Sequence, residues 1–89
     1  MTVGGWSEFH TLTKDEDILF KEVMGNIYGV SYKPIVVSTQ VVSGMNYCFI
    51  CRATSMTNPP AEFNAEVYIY KPAERGAKPY CTAIHQMTM

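Results

Sequence analysis

Thr13-Lys14-Asp15-Glu16-Asp17-Ile18-Leu19-Phe20-Lys21-Glu22-Val23-Met24 is the stretch on which the fold turns. Thr13 is followed three residues later by Glu16, the spacing of a capping box, and the carboxylates of Asp15, Glu16 and Asp17 suit the positive end of a helix dipole. Leu19, Phe20, Val23, Met24, Ile27 and Tyr28 then recur at intervals of three and four, with Lys21, Glu22 and Asn26 off the stripe. With Gly29 placed to end it in a left-handed conformation, the pattern predicts an amphipathic helix of about 15 residues with one face to cover something. Upstream, residues 1–12 show no such stripe and read as irregular.

Downstream the chain turns β-rich, with strands predicted over Tyr32 to Val42, Met45 to Ser55, Glu62 to Lys71, and Pro79 or Tyr80 to Met87. Ser43-Gly44 makes a tight connection, Asn58-Pro59-Pro60 breaks any central strand, and Pro72-Ala73-Glu74-Arg75-Gly76 reads as a loop. Phe63, Ala65, Val67 and Ile69 alternate with Glu62, Asn64, Glu66 and Tyr68, the pattern of a sheet with one covered face. One N-terminal helix followed by an antiparallel meander is an α+β roll of four to five strands, the sheet wrapping the helix.

The chain has 89 residues, enough for one domain spanning 1–89 and too few for two. A domain of this size has little core from which to carve a deep, water-excluded pocket, which counts against an enzyme. A net charge of −1 supplies no electrostatic footprint for nucleic acid or anionic membrane. Apolar runs such as Ile35-Val36-Val37 fall far short of a membrane span, and the first thirty residues hold no basic stretch and apolar core of a secretory signal. Three cysteines, an odd set, point to reduced thiols and a cytoplasmic protein, a trimmed secreted chain being the other way to the same start.

Candidate reactive groups have plain alternatives. Cys48-Phe49-Ile50-Cys51 has the spacing of a zinc or redox half-site, but residues three apart in a strand point to opposite faces, so the two sulfurs cannot share one metal. A cysteine with His10 or His85 as base would need an orienting group and an oxyanion hole that nothing marks. His85 fits a solvated face. Asp15, Glu16 and Asp17 are explained by capping, and Arg75 with Lys78 is too little for a phosphate clamp. No cofactor or metal is expected.

Folding alone leaves Gln40-Val41-Val42-Ser43-Gly44-Met45-Asn46-Tyr47 unexplained, because valines run up to a hairpin tip that is normally polar. Here the sequence resembles the cystatins, and among them the stefins, inhibitors of papain-like cysteine proteases of the cathepsin type. Their signature is Gln-Val-Val-Ala-Gly, usually followed by Thr-Asn-Tyr; this chain has Ser43 for Ala and Met45 for Thr. Gly4-Gly5-Trp6-Ser7-Glu8 is similar to the Gly-Gly-Leu-Ser-Glu start of some stefins, and the order of glycine element, helix, first hairpin and proline-containing second loop extends the resemblance over nearly the whole chain.

The resemblance implies a cystatin-like roll and a wedge mechanism, in which an N-terminal segment and two hairpin loops enter the protease cleft without forming a covalent bond. Residue by residue, Gly4, with Gly5 beside it, matches the family's N-terminal glycine, and Val3 would fill an apolar specificity pocket. Gln40, Val41, Val42, Ser43 and Gly44 match the first loop, and Pro72 and Ala73 the second. A monomer is implied, and exchange of the helix and first strands at the first hairpin would give swapped dimers. The second loop departs from the family, having neither Pro-Trp nor Leu-Pro, and Pro72-Ala73-Glu74-Arg75 offers little apolar contact. The absence of paired cysteines agrees with stefins rather than with secreted cystatins. The rival expectation is a cystatin-fold interaction or structural module without inhibitory activity, since fold does not fix function.

Overall fold

The computed structural model describes residues 4–87. Its elements are β1 (His10–Thr11), α1 (Lys14–Met24), β2 (Val30–Val42), β3 (Gly44–Ser55), β4 (Glu62–Pro72) and β5 (Tyr80–Gln86). The strands form one antiparallel sheet in the order β1-β2-β3-β4-β5, so every strand pairs with its sequence neighbour. One helix packed on a five-stranded antiparallel meander is an α+β, cystatin-like roll.

The helix begins as its sequence dictates. Thr13 Oγ1 accepts from the Glu16 N–H at 3.2 Å, and the Glu16 carboxylate accepts from the Thr13 N–H at 2.9 Å, closing the capping box. Its end is earlier than the apolar period implied. α1 stops at Met24 with Gly25 as its cap, the Gly25 N–H still bonding the Lys21 carbonyl at 2.9 Å. Ile27 and Tyr28 therefore do not continue the buried stripe; both are exposed, Tyr28 at 92 %. Gly29 takes a φ of +89° in the connection into β2 rather than ending the helix.

Leu19, Phe20 and Met24 bury the helix face against Val37, Phe49, Cys51, Val67 and Ile69. Each such large side chain removed from water contributes about 1.5–3 kcal/mol. Phe20 and Phe49 meet edge to face at 4.9 Å between centroids, and Tyr47 stacks on Phe49 at 6.0 Å. Two irregularities keep this face continuous. Tyr32 and Val37 both pack toward the core although five residues apart, because the β2/β3 register shifts between Pro34 and Val36. On β5 the partners of Tyr68 and Ile69 are Ala83 and Cys81, which leaves Thr82 as the extra residue.

The N-terminal stretch is not irregular throughout. His10 and Thr11 pair with Val37 and Val36, and Trp6 forms an isolated antiparallel bridge to Gln40. These residues run along the outer edge of β2. Among the described residues, no helix is long and apolar enough to cross a membrane.

Candidate functional site

The β2/β3 hairpin reverses over a single residue. Val42 pairs with Gly44, leaving exposed Ser43 at the apex. Gly44 has a φ of +107°, a conformation that costs little only for glycine. A Cβ at this position would land on the Lys71 carbonyl oxygen and lie 3.0 Å from the Ala73 nitrogen. The glycine is therefore required twice, by its dihedral and by the strand beside it.

That neighbour brings in the second loop. Gly44 pairs with Pro72, the last residue of β4, and Ala73 follows as the first exposed residue of the connection to β5. The Tyr70 hydroxyl donates to the Ser43 carbonyl, tying β4 to the apex. Beyond Ala73 the loop is polar. Glu74, Arg75, Gly76, Ala77 and Lys78 are all exposed around a turn closed by the Ala77 N–H to the Glu74 carbonyl at 3.2 Å.

The N-terminal segment meets the same tip from the other side. The Gly4 N–H donates to the Val41 carbonyl at 3.2 Å, and Gln40 Nε2 donates to the Gly4 carbonyl at 2.8 Å. Farther along, the Ser7 N–H donates to the Thr39 carbonyl at 2.7 Å, while the Thr39 N–H donates to Ser7 Oγ at 2.9 Å. Ser38 is 2 % exposed, and its hydroxyl donates to the Ser7 carbonyl at 2.6 Å. The buried serine thus fixes the segment to the strand. Trp6 lays its ring edge to face on Tyr68 at 6.2 Å, over the sheet face that does not carry the helix. Beside it lies an open cleft of about 290 Å³ lined by Trp6, Ser7, Phe9, Ser38, Cys48, Glu66 and Tyr68.

Gly4 and Gly5, Gln40 through Gly44, and Pro72 with Ala73 thus share one end of the sheet. Val41 and Val42 are half-buried there, and Ser43 and Ala73 are exposed. Val3 lies outside the described residues. A larger groove, about 530 Å³, runs between α1 and the Ser31–Pro34 end of β2, away from this tip.

The residues weighed for other chemistry are dispersed. Cys51 sits fully buried in the core, Cys48 is buried beneath Trp6 on the opposite face, and Cys81 is half-buried on β5. All three are free thiols, and burial raises each, with Cys51 pushed up to about 12. Among the described residues, no three acidic, histidine or cysteine side chains cluster as metal ligands. His85 is exposed, with Nδ1 4.0 Å from Glu66. His10 faces Glu16, its Nε2 3.0 Å from Oε2, with Nδ1 3.2 Å from the Glu8 carbonyl. The hydrogen bond with Glu16, then that with the Glu8 carbonyl, raises the imidazole above its ordinary value. Burial works to raise Glu16, but its bonds from the Thr13 N–H and from His10 outweigh this and leave it lowered.

Sequence reasoning did not assign Ser7, Ser38, Asn46 or Tyr70 a part at this end. Their hydrogen bonds depend on register between segments, so no local pattern signals them; Ser7, inside the glycine-containing start, and Asn46, inside the Gln40–Tyr47 stretch, lie within motifs that the sequence offers, whereas Ser38 and Tyr70 lie in none. Comparison with known proteins adds no relative: no family model, curated protein or solved structure matches the chain.

Proposed function

We propose that this chain is a reversible, non-covalent inhibitor of papain-like cysteine proteases. It would block the active-site cleft with Gly4-Gly5, the Gln40–Gly44 hairpin and the Pro72-Ala73 corner. The observation that carries the reading is the meeting of these three sequence-distant segments at one end of the sheet, through the Gly4–Val41 hydrogen bond on one side and the Gly44/Pro72 pair on the other. A tip of glycine and β-branched residues loses little side-chain entropy on docking, and its tight hydrogen bonding presents a pre-formed shape. Its backbone would cover the catalytic thiol without offering a scissile bond in register. Apolar contact would come from Val41 and Val42, with Val3 reaching a neighbouring specificity pocket.

The same reading makes the chain a single-domain, disulfide-free protein of the cytoplasm, acting as a monomer and using no cofactor; the three free thiols support it. The polar run Glu74–Lys78 favours a second reading, a cystatin-fold interaction module that does not inhibit. Inhibition of papain by variants at the tip separates the two. Replacing Gly4 with Leu or Val42 with Asp raises the inhibition constant about tenfold or more, equivalent to about 1.4 kcal/mol. Unchanged inhibition in both variants contradicts the wedge.

A further inference from the structure

The Gln40 side chain has both of its polar atoms engaged within the chain. Nε2 donates to the Gly4 carbonyl at 2.8 Å, and Oε1 accepts from Asn46 Nδ2 at 2.9 Å. Asn46 is the direct cross-strand partner of Gln40, so the acceptor side of the amide is held by the hairpin and its donor side is aimed at the N-terminal segment. The Trp6 bridge to Gln40 and the Ser7 bonds to Thr39 and Ser38 extend the same attachment by one strand length. Yet Gly4 and Gly5 are exposed and have no side chain to pack, so main-chain bonds and the Gln40 amide are what define their position.

We propose that Gln40 is a positioning residue: it clasps the Gly4 carbonyl and holds the N-terminal segment against the hairpin tip before any protease arrives, instead of spending its amide on the protease. This rests on the inhibitor reading. Glycine loses more conformational freedom on ordering than any other residue, so fixing a Gly-Gly pair in the free chain removes part of the entropic cost of association. Asn46 then has a role as well, orienting the Gln40 amide with its donor toward Gly4.

Gln40→Glu tests this with little change of shape. It keeps an acceptor for Asn46 and replaces the donor to Gly4 with a second oxygen facing the Gly4 carbonyl. In the free, full-length chain, amide hydrogen exchange at Gly4 accelerates about tenfold while exchange in the core of β3 is unchanged. Toward papain, the inhibition constant of Q40E rises about fivefold, but Q40E adds no further loss in a chain already carrying Gly4→Pro, because both changes release the same segment. Unaltered exchange at Gly4 overturns the clasp. An equal loss in the two backgrounds also overturns the positioning role, since Gln40 would then touch the protease itself. If the parent chain does not inhibit papain, the inhibitor reading fails and the role of the clasp in inhibition fails with it, while the exchange measurement still judges the clasp in the free chain.

Discussion

The Tyr70 hydroxyl donates to the carbonyl of Ser43, joining the end of β4 to the apex of the β2/β3 hairpin. Tyr70 is itself braced edge to face by Tyr80 at 5.8 Å. One phenol thus links β5, the second loop's approach and the first loop's apex. Tyr70→Phe keeps the ring and removes the donor. It should lower stability by about 0.5–1.5 kcal/mol, and weaken papain inhibition beyond what that loss of stability explains. Chemical denaturation and inhibition kinetics on the same variant check this; inhibition equal to that of the parent would mean that the apex needs no support from β4.

Gly44→Ala faces both a φ of +107° and a backbone oxygen in the path of its Cβ. The dihedral alone costs about 1–3 kcal/mol, and the Lys71 carbonyl leaves no room to relax without breaking the Gly44/Pro72 pairing. A thermal midpoint several degrees lower is expected. By contrast, a Cβ at Gly5 meets nothing within 4 Å, so Gly5→Ala should leave the stability within about 0.5 kcal/mol of the parent.

The pairing of His10 with Glu16 makes stability depend on pH in a defined window. His10 is raised in the fold, so its contribution is complete below its ordinary value of about 6.5 and is lost as pH rises through the folded value. Glu16 is lowered, so its contribution is complete above about 4.5 and is lost as pH falls through the folded value. Both terms are present together between about pH 4.5 and 6.5. The stability difference between the parent and His10→Ala should therefore be largest in that interval and shrink on either side. A difference that stays constant across the whole pH range would show that His10 acts by packing alone.

Burial orders the three thiols. Native chain treated with a chromogenic thiol reagent at pH 8 should react first at half-buried Cys81, with Cys48 and Cys51 slower by about a hundredfold or more. In denaturant all three should react rapidly. Three fast equivalents from the native chain would mean that the sheet opens around Phe49 far more often than its packing implies.

What was legible in the sequence is what short-range physics writes there. Thr13 and Glu16 announce the helix start because a capping box is a local hydrogen-bonded unit, and the alternation of Phe63, Ala65, Val67 and Ile69 announces a strand with one covered face. The helix end was misread because Ile27 and Tyr28 keep the helical period, while the chain must leave the helix at Gly25 to enter β2. β1 and the Trp6 bridge carry no periodic signal, since their partners lie about thirty positions away in β2. The tip was located through the Gln40–Gly44 motif, but its fixings, Ser38 to Ser7 and Tyr70 to Ser43, follow from strand register and could not be read along the chain.

Titration of active papain with the 89-residue chain decides whether the shared tip is an inhibitory wedge. Complete, reversible inhibition is expected, competitive with substrate, with an inhibition constant below about 1 µM, or more than about 8 kcal/mol of binding free energy. Full papain activity in the presence of tens of micromolar chain would contradict it, and would leave the shared end of Gly4, Gln40–Gly44 and Pro72 as a structural feature of the roll.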